Sequence, residues 1–223
     1  DLESIERRID AATKRARGGD AEAKAALPLM ERVVGALREG KPARSLEIAR
    51  DDATRFKQLQ LLTALPVLYV ANVDEAHAAT GNALSESVAA RAAAEGTVHV
   101  VISAAIEAEL AQLADESERS EYLHSLGLTE PGLNRFIRTG YALLDLVTYF
   151  TPGPKESRAW TVHRGSTAPE AAGIIHTDFM RGFIAAEVIT YDDFIAAGGE
   201  QGAKAAGKMR VPGRDYVVQD GDI

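Results

Sequence analysis

Residues 65–75 (LPVLYVANVDE) and 97–110 (TVHVVISAAIEAEL) constrain this chain more tightly than any other stretch. Each is an apolar run of strand character that ends in a polar turn, the first in Asn-x-x-acid and the second in Ser-Ala. Strands are predicted over 67–71 and Val98–Ile102. The first is almost continuously apolar, which suits a parallel strand buried on both faces. A helix is predicted over 83–95 between them, and further helices over 106–113, 116–126 and 133–144. Strand, helix, strand, helix is the order of a doubly wound α/β domain. Two strands do not complete such a sheet, so more strands are expected from sequence before Asp1.

Ahead of this region the pattern is helical. Leu2, Ile5, Ile9 and Ala12 recur on one helix face, with charged residues around the rest. Gly18-Gly19-Asp20 breaks that helix and offers Asp20 as the cap of the next. The second apolar stripe is Leu27, Met30, Val33, Val34 and Leu37, with Pro28 predicting a kink or restart. Gly40-Lys41-Pro42 ends it. Two amphipathic helices joined by a short Gly-rich turn make an α-hairpin arm over residues 1–55. Its basic residues Arg7, Arg8, Lys14, Arg15 and Arg17 form either a solvated face or a polyanion-contacting arm. A further helix is expected over 51–62, with Phe56, Leu59 and Leu62 inward.

From residue 145 the character changes. Short β-rich runs at 147–150, 157–163, 183–189 and 215–219 surround one predicted helix at 169–175. Pro152-Gly153-Pro154 and Gly165-Ser166 mark turns. A hairpin, a helix and further strands is the order of a β-grasp, and Asp220-Gly221-Asp222-Ile223 reads as a turn opening a last strand. Basic residues (Lys155, Arg158, Arg164, Arg181, Lys208, Arg210, Arg214) are interspersed with Trp160, Phe179 and Tyr216. That mixture suits an RNA-facing surface, and equally an ordinary small domain, with Trp160 more at home in the core. His176-Thr177-Asp178 lacks an accompanying nucleophile motif and reads as a helix-end turn.

Charge is distributed unevenly. Residues 1–60 are net +2, residues 61–145 net −8 and residues 146–223 net −2. Bulk nucleic-acid binding by the whole chain is therefore not expected, although a local basic face is compatible with the first or last segment. The chain has no cysteine, which excludes disulfides, thiolate metal sites and thiol switching within it. Its five histidines show no paired metal-ligand spacing, so no metal site is expected in this chain. No apolar run approaches the roughly 20 residues of a membrane span, and no signal-peptide pattern is present, so a cytoplasmic protein without membrane contact is the default.

The two turns fit the base-reading half of a nucleotide site. In GTP-binding proteins a buried strand ends in N-K-x-D, whose acid accepts hydrogen bonds from guanine N1–H and its 2-amino group. Here the sequence is Asn72-Val73-Asp74-Glu75, with Glu75 in the acid position. Glu is one methylene longer than Asp. Adenine offers neither guanine donor, and an unmatched carboxylate is costly, so Glu75 weakens the case for guanine and allows adenine. Val73 replaces the usual Lys, and its side chain is expected to pack on base or ribose. Ser103-Ala104-Ala105 fits the second base loop, where backbone N–H groups meet guanine O6. No G-x-x-x-x-G-K-[ST] occurs in these 223 residues.

With both loops in place, the chain resembles the YchF/Obg-like ATPase family of Obg-related P-loop proteins over essentially its whole length. N-x-x-E at Asn72–Glu75 is that family's hallmark. The hairpin resembles its coiled-coil arm. Stretches such as LVTYFT (146–151), RAWTV (158–162), APEAAGIIHTDF (168–179), GFIAAEV (182–188) and DYVVQDGD (215–222) resemble its β-grasp TGS domain. The resemblance implies a P-loop nucleotide-binding domain (residues 56–144 its C-terminal half) with an inserted helical arm, followed by a TGS domain at 145–223. It implies ATP hydrolysis in preference to GTP, with Mg²⁺, and association with the ribosome or its RNA through the large subunit. Asn72, Val73, Glu75, Ser103, Ala104 and Ala105 would form the base pocket. Arg15, Arg17, Lys155, Arg158, Arg164 and Arg181 are the candidate RNA- or ribosome-facing residues. The family's P-loop, Mg²⁺ ligands and catalytic switch lie upstream of Asp1, so no catalytic residue is expected in this chain, which is expected to be a monomer inactive alone. The alternatives are a non-catalytic RNA- or ribosome-binding module and an Obg/Drg-type GTPase with a TGS domain.

Overall fold

A computed structural model describes residues 1–153 and 155–223. Pro154, in the turn expected at 152–154, lies outside the described residues. The chain divides into two compact units, residues 1–71 with 81–99, and residues 72–80 with 100–223.

The first unit opens with the helices α1 (Leu2–Arg17) and α2 (Ala21–Arg38), packed on one another. The expected apolar faces meet in part: Ile5, Val33 and Val34 are buried in one cluster with Ala43, Leu59 and Leu61, joined by Leu29, which lies outside the expected stripe, while Leu27 and Met30 of that stripe are half-buried. Gly19 takes φ +92° in the connecting turn, a conformation open to glycine at little cost. Asp20 then caps α2, accepting from Ala23 N at 3.0 Å and from Arg15 Nε at 2.8 Å. These two contacts hold its carboxyl below the ordinary value, the backbone bond first. Pro28 does not restart the helix. α2 runs through it as one element, because a proline deletes a single i→i−4 bond and the buried stripe on either side holds the rest.

The helix expected over 51–62 is shorter. It is α3 (Ala53–Gln58), flanked by single 3-10 turns at Arg50–Asp52 and Leu62–Ala64. Gln60 adopts φ +51°, which stops the helix and shifts the register of the next residues. Leu61 is consequently buried and Leu62, expected inward, is 76% exposed. Asp1 fastens this turn by accepting from Leu62 N at 3.1 Å and from Thr63 N and Oγ1 at 2.6 Å. The strand β1 (Leu68–Asn72) and the helix α4 (Ala83–Ala94) come next, the latter begun by a capping box between Asn82 and Ser85. Beyond them is β2 (Val98–Ile102), hydrogen-bonded beside β1 in a two-stranded sheet. Val70 and Val98 are exposed, so burial on both faces does not hold for either strand in this chain.

The second unit carries α5 (Ala104–Leu110), α6 (Glu116–Ser125) and α7 (Gly132–Leu143). Ile106, Leu110, Leu123, Leu128 and Ala78 form their core. The strands β3 (Leu146–Thr151) and β4 (Arg158–His163) pair antiparallel, from Leu146 opposite His163 to Thr151 opposite Arg158. Val147, Tyr149 and Val162 pack on Ala171 of α8 (Ala168–Ile175) and on Val218. The strands expected at 183–189 and 215–219 reduce to isolated bridges, Val188 with Arg210 and Thr167 with Val217. Between and before them lie three helices without a sequence-level signal, α9 (Thr177–Gly182), α10 (Tyr191–Ala196) and α11 (Glu200–Ala205). Six residues are too few to display a helical period, and in each a local cap or turn decides the conformation. His176, Thr177 and Asp178 form such a turn: His176 Nδ1 accepts from Asp178 N at 3.2 Å and caps α9. Residues 221–222 lie along β3, with Gly221 N donating to Thr148 O and Asp222 O accepting from Phe150 N, both at 2.8 Å. No helix among the described residues is long and apolar enough to cross a membrane.

The burial difference in the arm is measurable. Leu29→Ala, at a 2% exposed core position, is expected to cost about 2–5 kcal/mol. Leu62→Ala is expected to cost less than about 0.5 kcal/mol. Urea unfolding of the two variants, monitored by circular dichroism, distinguishes them.

Candidate nucleotide-base site

The ends of β1 and β2 bring the two sequence motifs together. Val73 N donates to Ile102 O at 2.8 Å, which ties the chain just after β1 to the last residue of β2. One residue before Val73 and two after Ile102, Asn72 Oδ1 accepts from Ala104 N at 2.9 Å. Asn72, Ala104 and Ala105 are exposed, so the two loops present their edges to solvent side by side. Val73 is buried. Ser103 is 3% exposed, and its Oγ is buried without a hydrogen-bond partner among the described residues.

The two acids of the first loop differ in their surroundings. Asp74 caps a 3-10 turn, Glu75–His77, accepting from His77 N at 3.2 Å and contacting the His77 ring. Its carboxylate is thus consumed within the turn, whereas Glu75 is exposed and makes no ion pair among the described residues. Glu75 is close enough to act on Tyr122 of α6. The Tyr122 phenol is pushed up to about 12, first by its hydrogen bond to Glu109, then by desolvation and by the charges of Glu109 and Glu75.

A scaffold without a sequence signal holds the second loop. Glu107 Oε1 accepts from Gly132 N at 2.7 Å, joining α5 to the start of α7. Arg135 donates to Val101 O at 3.0 Å. A Cβ on Gly132 would lie 3.0 Å from Ile102 Cγ2 and 2.9 Å from Glu107 Oε1, so glycine is what lets α7 approach β2. These partners are 25 and 34 residues apart, a separation at which no periodicity links them.

The family model YchF-GTPase_C, described as a protein of unknown function (DUF933), matches residues 146–223. The ribosome-binding ATPase YchF of Haemophilus influenzae is 52% identical over all 223 residues. Its Bacillus subtilis counterpart is 46% identical over 225 aligned residues. The structure of the Schizosaccharomyces pombe YchF GTPase superposes on the whole chain with a TM-score of 0.85 at 31% identity. The chain is homologous over its whole length to these YchF proteins. It spans 61% of the length of each of these three proteins.

The six basic candidates are differently engaged. In the first unit Arg15 is paired with Asp20, while Arg17 is exposed with no ion pair among the described residues. In the second, Arg164 faces Asp145 at 3.3 Å, and the Arg158 guanidinium lies 4.7 Å from the centre of the Trp160 ring. Trp160 itself is half-buried and donates to Thr151 Oγ1 at 2.8 Å, which assigns it to structure. Lys155 and Arg181 are exposed with no ion pair among the described residues. The described residues contain no cluster of three or more His, Asp or Glu suited to a metal.

Spectrophotometric titration tests the Tyr122 contact. Tyr122 and the buried Tyr149 are both expected to ionise near 12. Glu109→Gln should return only the first toward its ordinary value. Because the folded phenol is raised, the stability this contact supplies is present below the unfolded value near 10 and is lost as pH climbs through about 12. Two unchanged late tyrosines in Glu109→Gln would disprove the assignment.

Proposed function

We propose that this chain reads the purine base and supplies the ribosome-facing surfaces of a cytoplasmic, monomeric P-loop ATPase that takes ATP in preference to GTP. The observation that carries this reading is the juxtaposition of Asn72 with Ser103-Ala104 at the ends of neighbouring strands, the arrangement a base needs to be held edge-on. Relatives at 46–52% identity bear the name ribosome-binding ATPase, which supports both the nucleotide and the partner.

In this reading Asn72 and the backbone at 103–105 orient the base, and Glu75 shapes its Watson–Crick edge. The helical hairpin is the family's coiled-coil arm and residues 145–223 its TGS domain. Arg17, Lys155 and Arg181, with Arg15, Arg158 and Arg164, supply phosphate contacts to ribosomal RNA. Mg²⁺ would accompany the triphosphate. The part this reading gives to the chain is recognition of the base and not phosphoryl transfer. A second reading has one specific support: the matched fission-yeast structure is titled a GTPase.

Nucleotide turnover separates these readings. The chain alone is expected to hydrolyse neither nucleotide. A chimera with the remaining N-terminal part of the Haemophilus relative placed before Asp1 is expected to hydrolyse ATP over GTP. Within the chimera, Glu75→Asp should move kcat/KM toward GTP by on the order of tenfold. GTP preference in the parent chimera would favour the second reading, and unchanged ATP preference in Glu75→Asp would sink the role given to Glu75. Failure of the chimera to bind either nucleotide would leave an RNA- or ribosome-binding module.

A further inference from the structure

We propose that the cleft between α1, α2 and α3 of the arm is a binding site for one unstacked nucleotide of a single-stranded RNA. Arg8 holds the phosphate, and the base sits in the cavity beneath it. The proposal rests on the RNA-facing reading of the arm and gives it a specific pocket and ligand.

The cavity has a volume of about 250 Å³. That is below the roughly 300–1,000 Å³ of sites for drug-sized ligands, so it has room for a single base and not for an extended molecule. Buried Ala12, Ala23, Leu29 and Leu59 line its apolar floor. The guanidinium groups of Arg8, Arg15 and Arg55 and the carboxylate of Glu22 stand around it. Most of this charge is already paired. Arg15 meets Asp20 at 2.6 Å, and Arg55 meets Glu22 at 2.8 Å and Asp52 at 3.2 Å. Arg8 is half-buried and has no ion pair among the described residues. Its Nη1 donates to Leu59 O at 2.7 Å, which sets the guanidinium in place. Its Nε and Nη2 make no hydrogen bond among the described residues. A fixed guanidinium with two open donor groups and no counter-charge suits a phosphate. The net charge of +2 over residues 1–60 favours the same class of ligand. Arg55 is tied at its edge by Glu22 and Asp52, so a base can stack on its flat face. Gln58 lines the cavity, is exposed and makes no side-chain hydrogen bond among the described residues. Its amide both donates and accepts, which matches the edge of a base. An acidic peptide would satisfy Arg8 but would give the face of Arg55 and the amide of Gln58 nothing to do.

The test is an amide chemical-shift titration of the ¹⁵N-labelled 223-residue chain with the single-stranded hexamer of riboadenylate, and with hexaglutamate as the acidic-peptide probe. The RNA hexamer is expected to shift residues 8–15, 22–30 and 55–59. Arg8→Gln should weaken its binding on the order of tenfold, the worth of one charge-assisted hydrogen bond. The same variant should lower the slope of log K against log salt by about 0.7. Gln58→Ala, at an exposed position, should weaken binding about threefold. Arg7→Gln removes the same charge from an exposed neighbour and should change binding by less than about twofold. Should Arg8→Gln fail to fold, as circular dichroism would show, the contrast between Gln58→Ala and Arg7→Gln decides. Equal losses in Arg7→Gln and Arg8→Gln, no difference between Gln58→Ala and Arg7→Gln, or binding of hexaglutamate as tight as that of the RNA would overturn the site. Shifts confined to other surfaces, around Arg17, Lys155 and Arg181, would overturn it while leaving the RNA-facing reading intact. No binding of the RNA hexamer anywhere at low salt would overturn both.

Discussion

The hydrogen bond from Val73 N to Ile102 O is the contact on which the rest of the candidate site depends. It extends the pairing of β1 and β2 by one step, to the point where both strands turn into loops. Without it, Asn72 and Ala104 would be neighbours in no reliable sense, because each sits at the margin between regular strand and loop. The pairing costs little, since apolar Val and Ile favour the strand and the backbone groups must be satisfied somewhere. A polar loop is thereby positioned by an apolar strand, the usual division of labour in α/β nucleotide sites.

The loop is then braced by its neighbours in the second unit. Glu107, Gly132 and Arg135 link α5, α7 and β2 through a short carboxylate–amide bond, a close approach and a guanidinium–carbonyl bond. Asp74 is withdrawn into the cap of its own turn, which leaves Glu75 as the free acid. Glu75, at position four of the motif, is therefore the carboxylate that stays exposed beside the turn.

Features that repeat within a short window are legible in the sequence. The apolar stripes of α1 and α2 recur at 3- and 4-residue spacing, and Ile5, Val33 and Val34 of those stripes are buried, whereas Leu29, equally buried, lies off the expected stripe. β1 and β2 stand out as apolar runs, and Asp20 stands out as a cap because capping is a local reaction of side chain with backbone. Features that depend on distant partners leave no such trace. Leu62 continues an apolar period and so points inward on paper, but one left-handed residue at Gln60 reverses its direction. The runs at 183–189 and 215–219 have strand-forming residues, yet most of their backbone bonds go to turns and single bridges. In the candidate site, Asn72 and the Ser-Ala pair are legible from their motif spacing. Glu107 and Arg135 are not, because nothing within either helix marks them as loop supports.

Charge has the same logic. The segment that holds the base loops is the most acidic of the three, net −8 over residues 61–145, whereas the arm segment is net +2. A surface meant to attract RNA would not be built into that middle segment, since its field would repel phosphate over roughly a Debye length of 10 Å. A base-reading site tolerates it, because a purine is neutral and is held by hydrogen bonds and stacking. Specificity at such a site comes from matching donors and acceptors, while attraction for the triphosphate must be provided by other groups. The acidity of residues 61–145 and the basic, partly unpaired side chains at Arg17, Lys155 and Arg181 are thus two sides of one partition. In the proposed reading, polar matching falls to the loops, and polyanion attraction to surfaces set apart from them in the sequence.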